Sequence, residues 1–99
     1  MRIFSKSTLR EFWEKHPDSE DALRTWYRIV EKSQWENPHD VKEIFGDASI
    51  IGDNRIVFNI KGNEYRIVVF IDYEFKKNYI CFIGTHEEYN KIDAKTVVL

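Results

Sequence analysis

The spacing of the hydrophobic residues changes at Gly52, and this change restricts the fold more than any other feature. Before Gly52, apolar side chains recur every three or four residues, which is the repeat of an amphipathic helix. After it, they alternate along Arg55–Ile60, which is the repeat of a β-strand. The chain has 99 residues, the length of one domain. We therefore predict a single α+β domain over residues 1–99, with helices before the sheet.

Three segments of the N-terminal half predict helices, because each joins a stripe of apolar residues to a residue that starts or stops a helix. In the third segment, Val41, Ile44 and Phe45 are expected to face the core. The predicted helices are residues 7–15, closed by Pro17, residues 20–32, capped by Asp18 or Ser19, and residues 38–45, started by Asn37 and stopped by Gly46.

Three strands should follow, at residues 55–60, 64–73 and 79–83, the last ended by Gly84. Their connections are short, which places neighbouring strands antiparallel. Thr85 and Glu88 then form a capping box, which predicts a short helix up to about Ile92. The expected α+β architecture is N-terminal helices packed on a small twisted antiparallel sheet, with a short C-terminal helix.

Composition excludes several classes of protein. Hydrophobic residues make up 42% of the chain, which is enough to bury a core and too much for a disordered chain. The longest apolar run, residues 67–71, is far too short to span a bilayer. The N-terminus lacks the apolar segment of a secretory signal. We therefore expect a cytoplasmic protein without a membrane partner.

The charges are unevenly distributed along the chain. The net charge of −2 argues against a protein whose main task is to bind nucleic acid. However, residues 1–53 carry eight basic and eleven acidic side chains, whereas residues 54–99 carry seven basic and six acidic ones. A site for a polyanion is therefore expected in the second half of the chain.

Among the three histidines, His86 differs from the others. His16 and His39 occupy positions typical of surface residues at helix ends, whereas His86 directly follows a buried strand and lies one helical turn before Tyr89. It is either a site residue or a helix-start histidine beside a packed tyrosine. The chain has no glycine-rich phosphate loop, no paired cysteines and no nucleophile turn, so we predict no metal and no cofactor.

Arg66 is the second unusual residue. It shares a strand face with Val68 and Phe70, so a permanent charge lies where apolar side chains are expected. It either forms a structural ion pair with Asp72 or Glu64, or it binds a phosphate group.

Further basic and polar residues could line a groove around Arg66. Arg55, Lys61 and Lys91 are the basic ones, and Asn63 belongs to the same hairpin as Lys61. Lys61 and Asn63 equally fit the ordinary role of turn residues.

Two blocks of the sequence resemble the HigB family of toxins from bacterial type II toxin–antitoxin systems. The first block is residues 54–67 with its Tyr-Arg-hydrophobic motif, and the second is residues 84–93 with its Thr-His-x-x-Tyr motif. The resemblance also includes residues 12–17, 26–27 and 35–42, and so covers nearly the whole chain. In the second motif, Asn90 stands where this family often has aspartate.

The resemblance implies a RelE-like fold and a metal-independent ribonuclease that cuts messenger RNA at the ribosome. It implies that Arg66 holds the scissile phosphate and that His86 and Tyr89 supply acid–base or orienting groups. The implied substrate contacts are Arg55, Lys61, Asn63 and Lys91.

The implied partners are mRNA, the ribosome and a cognate HigA-like antitoxin, a helix-turn-helix protein through which the toxin would reach DNA only indirectly. Such toxins are commonly basic, whereas this chain is not. A catalytically silent RNA- or protein-binding module with the same fold is the main alternative, and a metal-dependent nuclease is a third.

Overall fold

The computed structural model describes residues 1–99 as four α-helices and five β-strands. None of the helices has the length and the apolar character needed to cross a membrane. The helices are α1 (Lys6–Lys15), α2 (Glu20–Lys32), α3 (Pro38–Ile44) and α4 (His86–Tyr89), and a short 3₁₀ turn at Pro17–Ser19 joins α1 to α2. The strands are β1 (Arg2–Phe4), β2 (Ser49–Gly52), β3 (Arg55–Ile60), β4 (Tyr65–Asp72) and β5 (Lys77–Thr85).

The strands form one sheet in the order β1-β5-β4-β3-β2. Strands β3, β4 and β5 pair as antiparallel neighbours, as their short connections predicted. In addition, β2 pairs antiparallel with β3, and β1 pairs with β5 in parallel. The sheet is therefore mixed. The expectation of three antiparallel strands is wrong, because the sheet has five strands and the pair at the β1 edge is parallel. β1 and β2 were missed because segments of three and four residues are too short to show an alternating pattern.

The sheet is covered on both faces. On the helix face, α1, α2 and α3 bury the main core, which includes Trp26 and Phe58. On the opposite face, which we call the second face, Val57, Val68 and Cys81 form a smaller apolar cluster. The central strand β4 is thus buried from both sides, which explains why both of its faces are apolar in sequence.

The positions of the three N-terminal helices confirm the sequence prediction, with two local exceptions. Asn37 caps α3 as predicted, because its side chain accepts the N–H of Asp40 at 3.0 Å. Ser19 has the N-cap position of α2, but its hydroxyl donates to the carbonyl of His16 and caps nothing. Ile44, predicted to face the core, is 57% exposed because α3 is only seven residues long and buries one residue.

The residues after α4 cross the second face without adding a strand. Ala94 and Val97 pack against the apolar cluster of that face. The Arg55 guanidinium on β3 donates to the main-chain carbonyls of Ala94 and Val97, at 3.0 and 2.6 Å. Arg55, predicted as a substrate contact, is therefore engaged in holding this C-terminal segment.

Asp18 ties the 3₁₀ turn to the β3–β4 hairpin. Its carboxylate accepts hydrogen bonds from Lys61 Nζ at 2.8 Å and from the Tyr65 hydroxyl at 2.6 Å. These two bonds, that from Lys61 first, lower the pKa of Asp18 below its usual value, and the same contacts raise the pKa of Lys61 and of Tyr65. Lys61, predicted as a substrate contact, thus fixes the hairpin against the helical half of the chain.

We predict that Arg55→Ala lowers the free energy of unfolding by about 1–3 kcal/mol, because two partly buried carbonyl groups lose a charged donor. Urea denaturation measures this loss. Lys95→Ala is the matched control, since it removes an exposed cation of the same segment that has no side-chain partner. An equal loss in both variants would contradict the assignment of a holding role to Arg55.

The Asp18 contacts predict a loss of stability in acid. The pKa of Asp18 is lower in the folded chain than in the unfolded one. The ionised carboxylate therefore stabilises the fold at pH values above its ordinary pKa of 3.8. This contribution is lost as the pH falls through the lowered folded value. Asp18→Asn should therefore be less stable than the wild type near neutral pH, and the difference should close as the pH falls through the lowered pKa of the folded chain.

Urea denaturation at a series of pH values measures the effect of Asp18→Asn. Glu11→Gln serves as the control, because Glu11 is exposed on α1 and its carboxylate has no partner. A stability difference between Asp18→Asn and the wild type that stays constant as the pH falls would show that the ionised Asp18 is not the cause.

Candidate active site

Arg66 is a half-buried cation on the second face, near the start of β4 and the end of β5. Its neighbours across the two adjacent strands are Asn59 and Gly84. The Nη2 atom of Arg66 donates to the side-chain oxygen of Asn63 at 3.1 Å, whereas its Nε is buried without any hydrogen-bond partner. Burying an N–H group of a permanent cation lowers the stability of the fold unless the group donates to an acceptor.

The two carboxylates that could neutralise Arg66 have other partners. Glu64 lies 3.4 Å from Lys61 Nζ, and Asp72 accepts the main-chain N–H of Phe75 at 3.0 Å. Neither forms an ion pair with Arg66, so the structural-ion-pair interpretation of this arginine is wrong. Its charge and its free Nε remain available to an anion.

The ring of Tyr89 lies against the Arg66 guanidinium, with its centroid 4.7 Å from Cζ. The tyrosine is placed by α4, whose start is fixed by the predicted capping box. Thr85 Oγ1 accepts the N–H of Glu88 at 3.1 Å, and the Glu88 carboxylate accepts the N–H of Thr85 at 2.8 Å. The capping box is thus confirmed, although α4 ends at Tyr89 rather than near Ile92.

Gly84 allows these groups to approach one another. A Cβ atom at this position would lie 2.6 Å from the Phe82 ring and 3.0 Å from the Glu88 carboxylate. The Phe82 ring instead covers Gly84, and its centroid is 6.3 Å from that of Tyr89. The interpretation of Gly84 as the end of the strand is wrong, because β5 continues to Thr85. A glycine among strand residues is itself a signal of such close packing, and the sequence analysis missed it.

His86 is the first residue of α4 and lies two residues beyond Gly84, the strand partner of Arg66. Its main-chain N–H donates to the carbonyl of Glu64 at 3.0 Å. Its Nδ1 is buried and has no hydrogen-bond partner. Beside the histidine is an open cavity of about 380 Å³, lined by Glu64, Tyr65, Thr85, His86 and Glu87.

The structure separates the seven predicted site residues into two groups. Asn63 and Tyr89 contact Arg66. His86 follows the end of β5 nearby, but no hydrogen bond or ring contact joins it to Arg66, and neither Arg66 nor Tyr89 lines the cavity beside it. The other three lie elsewhere or have other partners: Arg55 holds the C-terminal segment, Lys61 binds Asp18, and Lys91 is exposed beyond α4 without a side-chain partner.

One group of side chains has ligand atoms close enough together to share a cation, and it lies on the other side of the sheet. The group consists of His39, Asp40 and Glu43 on α3, whose buried face belongs to the core of the helix face. One oxygen of Asp40 already accepts the N–H of Glu36 at 2.9 Å. This group therefore lies on the face of the sheet opposite Arg66.

Three curated proteins are similar to this chain over nearly its full length. The mRNA interferase toxin HigB of Escherichia coli (strain K12) is 29% identical over 96 residues, which cover 95% of this chain and 92% of that protein. The mRNA interferase HigB of Shigella flexneri has the same identity and coverage. The mRNA interferase HigB of Escherichia coli O6:H1 (strain CFT073) is 27% identical over 94 residues, 93% of this chain and 91% of the relative.

The family profile described as HigB_toxin, RelE-like toxic component of a toxin–antitoxin system, matches residues 19–92. This range includes all seven predicted site residues. The match confirms the family indicated by the two sequence blocks, and the predicted enzyme class agrees with the names of the relatives. An antitoxin partner follows from the same description. The chain therefore belongs to the HigB family of RelE-like toxins.

Proposed function

We propose that this chain is a ribosome-dependent mRNA endoribonuclease that works without a metal ion and is neutralised by a cognate antitoxin. The observation that carries the proposal is the Arg66 guanidinium, which is held by Asn63 and Tyr89 and has no counter-charge. A cation fixed in this way suits a phosphate whose negative charge grows in the transition state. The names of the relatives support messenger RNA as the source of that phosphate.

In the proposed reaction, the 2′-hydroxyl of one ribose attacks its own 3′-phosphate. A bond forms between the 2′-oxygen and phosphorus, while the bond from phosphorus to the 5′-oxygen of the next nucleotide breaks. A base removes the proton of the 2′-hydroxyl, and an acid protonates the leaving 5′-oxygen. The products are a 2′,3′-cyclic phosphate and a free 5′-hydroxyl, and side chains alone can supply every group that the reaction needs.

Asn63, Arg66, His86 and Tyr89, near the start of β4 and the end of β5, each have a proposed part in this reaction. Arg66 neutralises the charge that develops on the phosphate oxygens. His86 and Tyr89 are the proton-carrying or orienting side chains, and the unpartnered Nδ1 of His86 supports this assignment. Asn63 orients the guanidinium from its other side. None of these parts requires a carboxylate at Asn90, which is exposed at the end of α4.

The charge of the chain limits its attraction to RNA, whether free or in the ribosome. Binding to RNA relies on basic side chains that neutralise phosphates, and a net charge of −2 makes this attraction weak. Docking on the ribosome would therefore rest on the more basic second half of the chain, and we propose that the activity is cytoplasmic. We propose that the antitoxin is a HigA-like helix-turn-helix protein and that contact with DNA occurs only through it.

Arg66→Ala should reduce cleavage of translated mRNA in a purified translation system by about 100-fold or more, because the transition-state charge loses its cation. Arg66→Lys keeps the positive charge but lacks the planar guanidinium with its fixed N–H donors. It should therefore be more active than Arg66→Ala and less active than the wild type. Arg10→Ala is the matched control, since Arg10 is an exposed arginine on α1 without a side-chain partner.

Two further measurements use the same assay. One compares His86→Ala with the wild type, and the other adds a chelator at concentrations that leave ribosomes intact. We expect His86→Ala to reduce cleavage by about 100-fold, the chelator to have no effect on the wild type, and free RNA to be cut poorly. If folded wild-type protein cuts no message under any condition, the enzyme proposal fails and a silent binding module takes its place.

Asn63 and Lys61 lie in the same turn but should differ in effect. Asn63→Ala should lower the cleavage rate about tenfold with little change in stability, because it leaves the guanidinium less well oriented. Lys61→Ala should lower stability but have a smaller effect on the rate, because Lys61 binds Asp18. Single-turnover cleavage and urea denaturation of both variants measure the difference, and the opposite ranking would contradict these assignments.

A further inference from the structure

A row of aromatic side chains crosses the second face at the end of the sheet away from Arg66. Phe4 of β1, Tyr79 of β5 and Phe70 of β4 are aligned partners in the strand register, so their side chains share this face. The rings of Phe4 and Tyr79 stack at 5.2 Å with an interplanar angle of 15°, and Phe70 lies 6.2 Å from Tyr79. We call Phe4, Tyr79 and Phe70 the aromatic row.

The aromatic row is more than part of the core. Phe4 and Tyr79 belong to neither of the two apolar clusters of the molecule, and Tyr79 is 38% exposed. The C-terminal segment leaves them uncovered, because its apolar residues Ala94 and Val97 pack against the cluster of Val57, Val68 and Cys81. Tyr79 therefore presents ring surface to solvent between the half-buried rings of Phe4 and Phe70.

Positive charge accompanies the aromatic row. The guanidinium of Arg2 lies 5.1 Å from the centre of the Phe4 ring, and Lys77 is the strand partner of Arg2 on the neighbouring strand. Asp72 is the partner of Lys77 on the other side, but no ion pair joins them, and Asp72 instead accepts the N–H of Phe75. Exposed rings beside cations are the combination that binds unpaired nucleotides, since bases stack on the rings and phosphates approach the cations.

The aromatic row continues into the proposed site along one strand. Tyr79 and Phe82 are both on β5 and face the same side as Gly84, the partner of Arg66. The partners of Tyr79 and Gly84 on β4, Phe70 and Arg66, are four residues apart, which corresponds to roughly 13 Å of strand. The C-terminal segment covers the centre of the face between these two positions, so a single-stranded RNA with its scissile phosphate at Arg66 would reach the aromatic row by passing over or beside that segment.

We propose that the aromatic row is a stacking platform for unpaired bases of single-stranded RNA. The identity of that RNA as the message flanking the cleaved bond rests on the proposed function, whereas the binding of RNA by the row does not. The row favours RNA over a protein partner because the rings are aligned in one line with cations at its end, and it shares its face with the phosphate site.

The test uses a fluorescein-labelled hexauridylate in which every ribose carries a 2′-O-methyl group, so that it cannot be cleaved. Fluorescence anisotropy at low salt measures its affinity for the full chain. Tyr79→Leu keeps an apolar side chain but removes the ring, and should weaken binding about tenfold. Tyr79→Phe keeps the ring and should retain most of the affinity. Ile44→Ala removes an exposed apolar side chain (57%) of α3, which packs on the helix face, and should have little effect.

Thermal unfolding first establishes that each variant is folded. No binding by the wild type, or equal losses in Tyr79→Leu and Ile44→Ala, would overturn the proposal. It would also be overturned if Tyr79→Leu weakened binding of the antitoxin but not of the oligonucleotide, because the row would then be a protein-docking surface.

A parallel cleavage assay separates this proposal from the proposed function. Tyr79→Leu should raise KM far more than it lowers kcat, because the row is remote from the reacting phosphate. Normal oligonucleotide binding by Tyr79→Leu in an active enzyme would overturn the platform and leave the ribonuclease proposal intact. Binding that depends on Tyr79 in a chain that never cleaves RNA would support the platform and overturn the ribonuclease proposal.

Discussion

The arrangement of the second face depends on one permanent charge among apolar side chains. Arg66 is half-buried, no carboxylate neutralises it, and its Nε has no partner. The surrounding structure holds this cation rather than compensating it: Asn63 binds it from the hairpin and the Tyr89 ring lies against it. Such an arrangement lowers the stability of the free protein, and under the proposed function the binding of a phosphate group would offset this cost.

The two faces of the sheet have different roles: the helix face carries the main core, and the second face carries the proposed site. The helix face buries the large side chains, and the Asp18 contacts to Lys61 and Tyr65 fasten the hairpin to that half. The second face carries the proposed site on a rigid base, because β4 is buried from both sides. Arg55 and the C-terminal segment cover the centre of that face and leave its two ends open. A site built on strands in this way is held more precisely than one built on loops.

The sequence predicted those features that depend on local signals. The Asn37 cap, the Thr85 capping box and the β3–β4 hairpin each have their whole cause within a few residues. Features that depend on distant partners could not be predicted this way. The pairing of Phe4 with Tyr79 joins opposite ends of the chain, and the basic character of Arg55 and Lys61 gave no sign that one holds the C-terminal segment and the other Asp18. For the site, motif residues indicated Arg66, His86 and Tyr89, but only the structure shows that the arginine lacks a carboxylate partner.

The central claim, that Arg66 holds the scissile phosphate, is tested most directly by a structure of the chain on a ribosome whose message carries a 2′-O-methyl group at the cleavage position. The distance between the guanidinium nitrogens of Arg66 and the nearest phosphate oxygen is the decisive measurement. Our account predicts a hydrogen bond from Nε, at about 2.7–2.9 Å, with His86 and Tyr89 beside the same phosphate. A message bound on the helix face, or a phosphate beyond hydrogen-bond reach of Arg66, would contradict it.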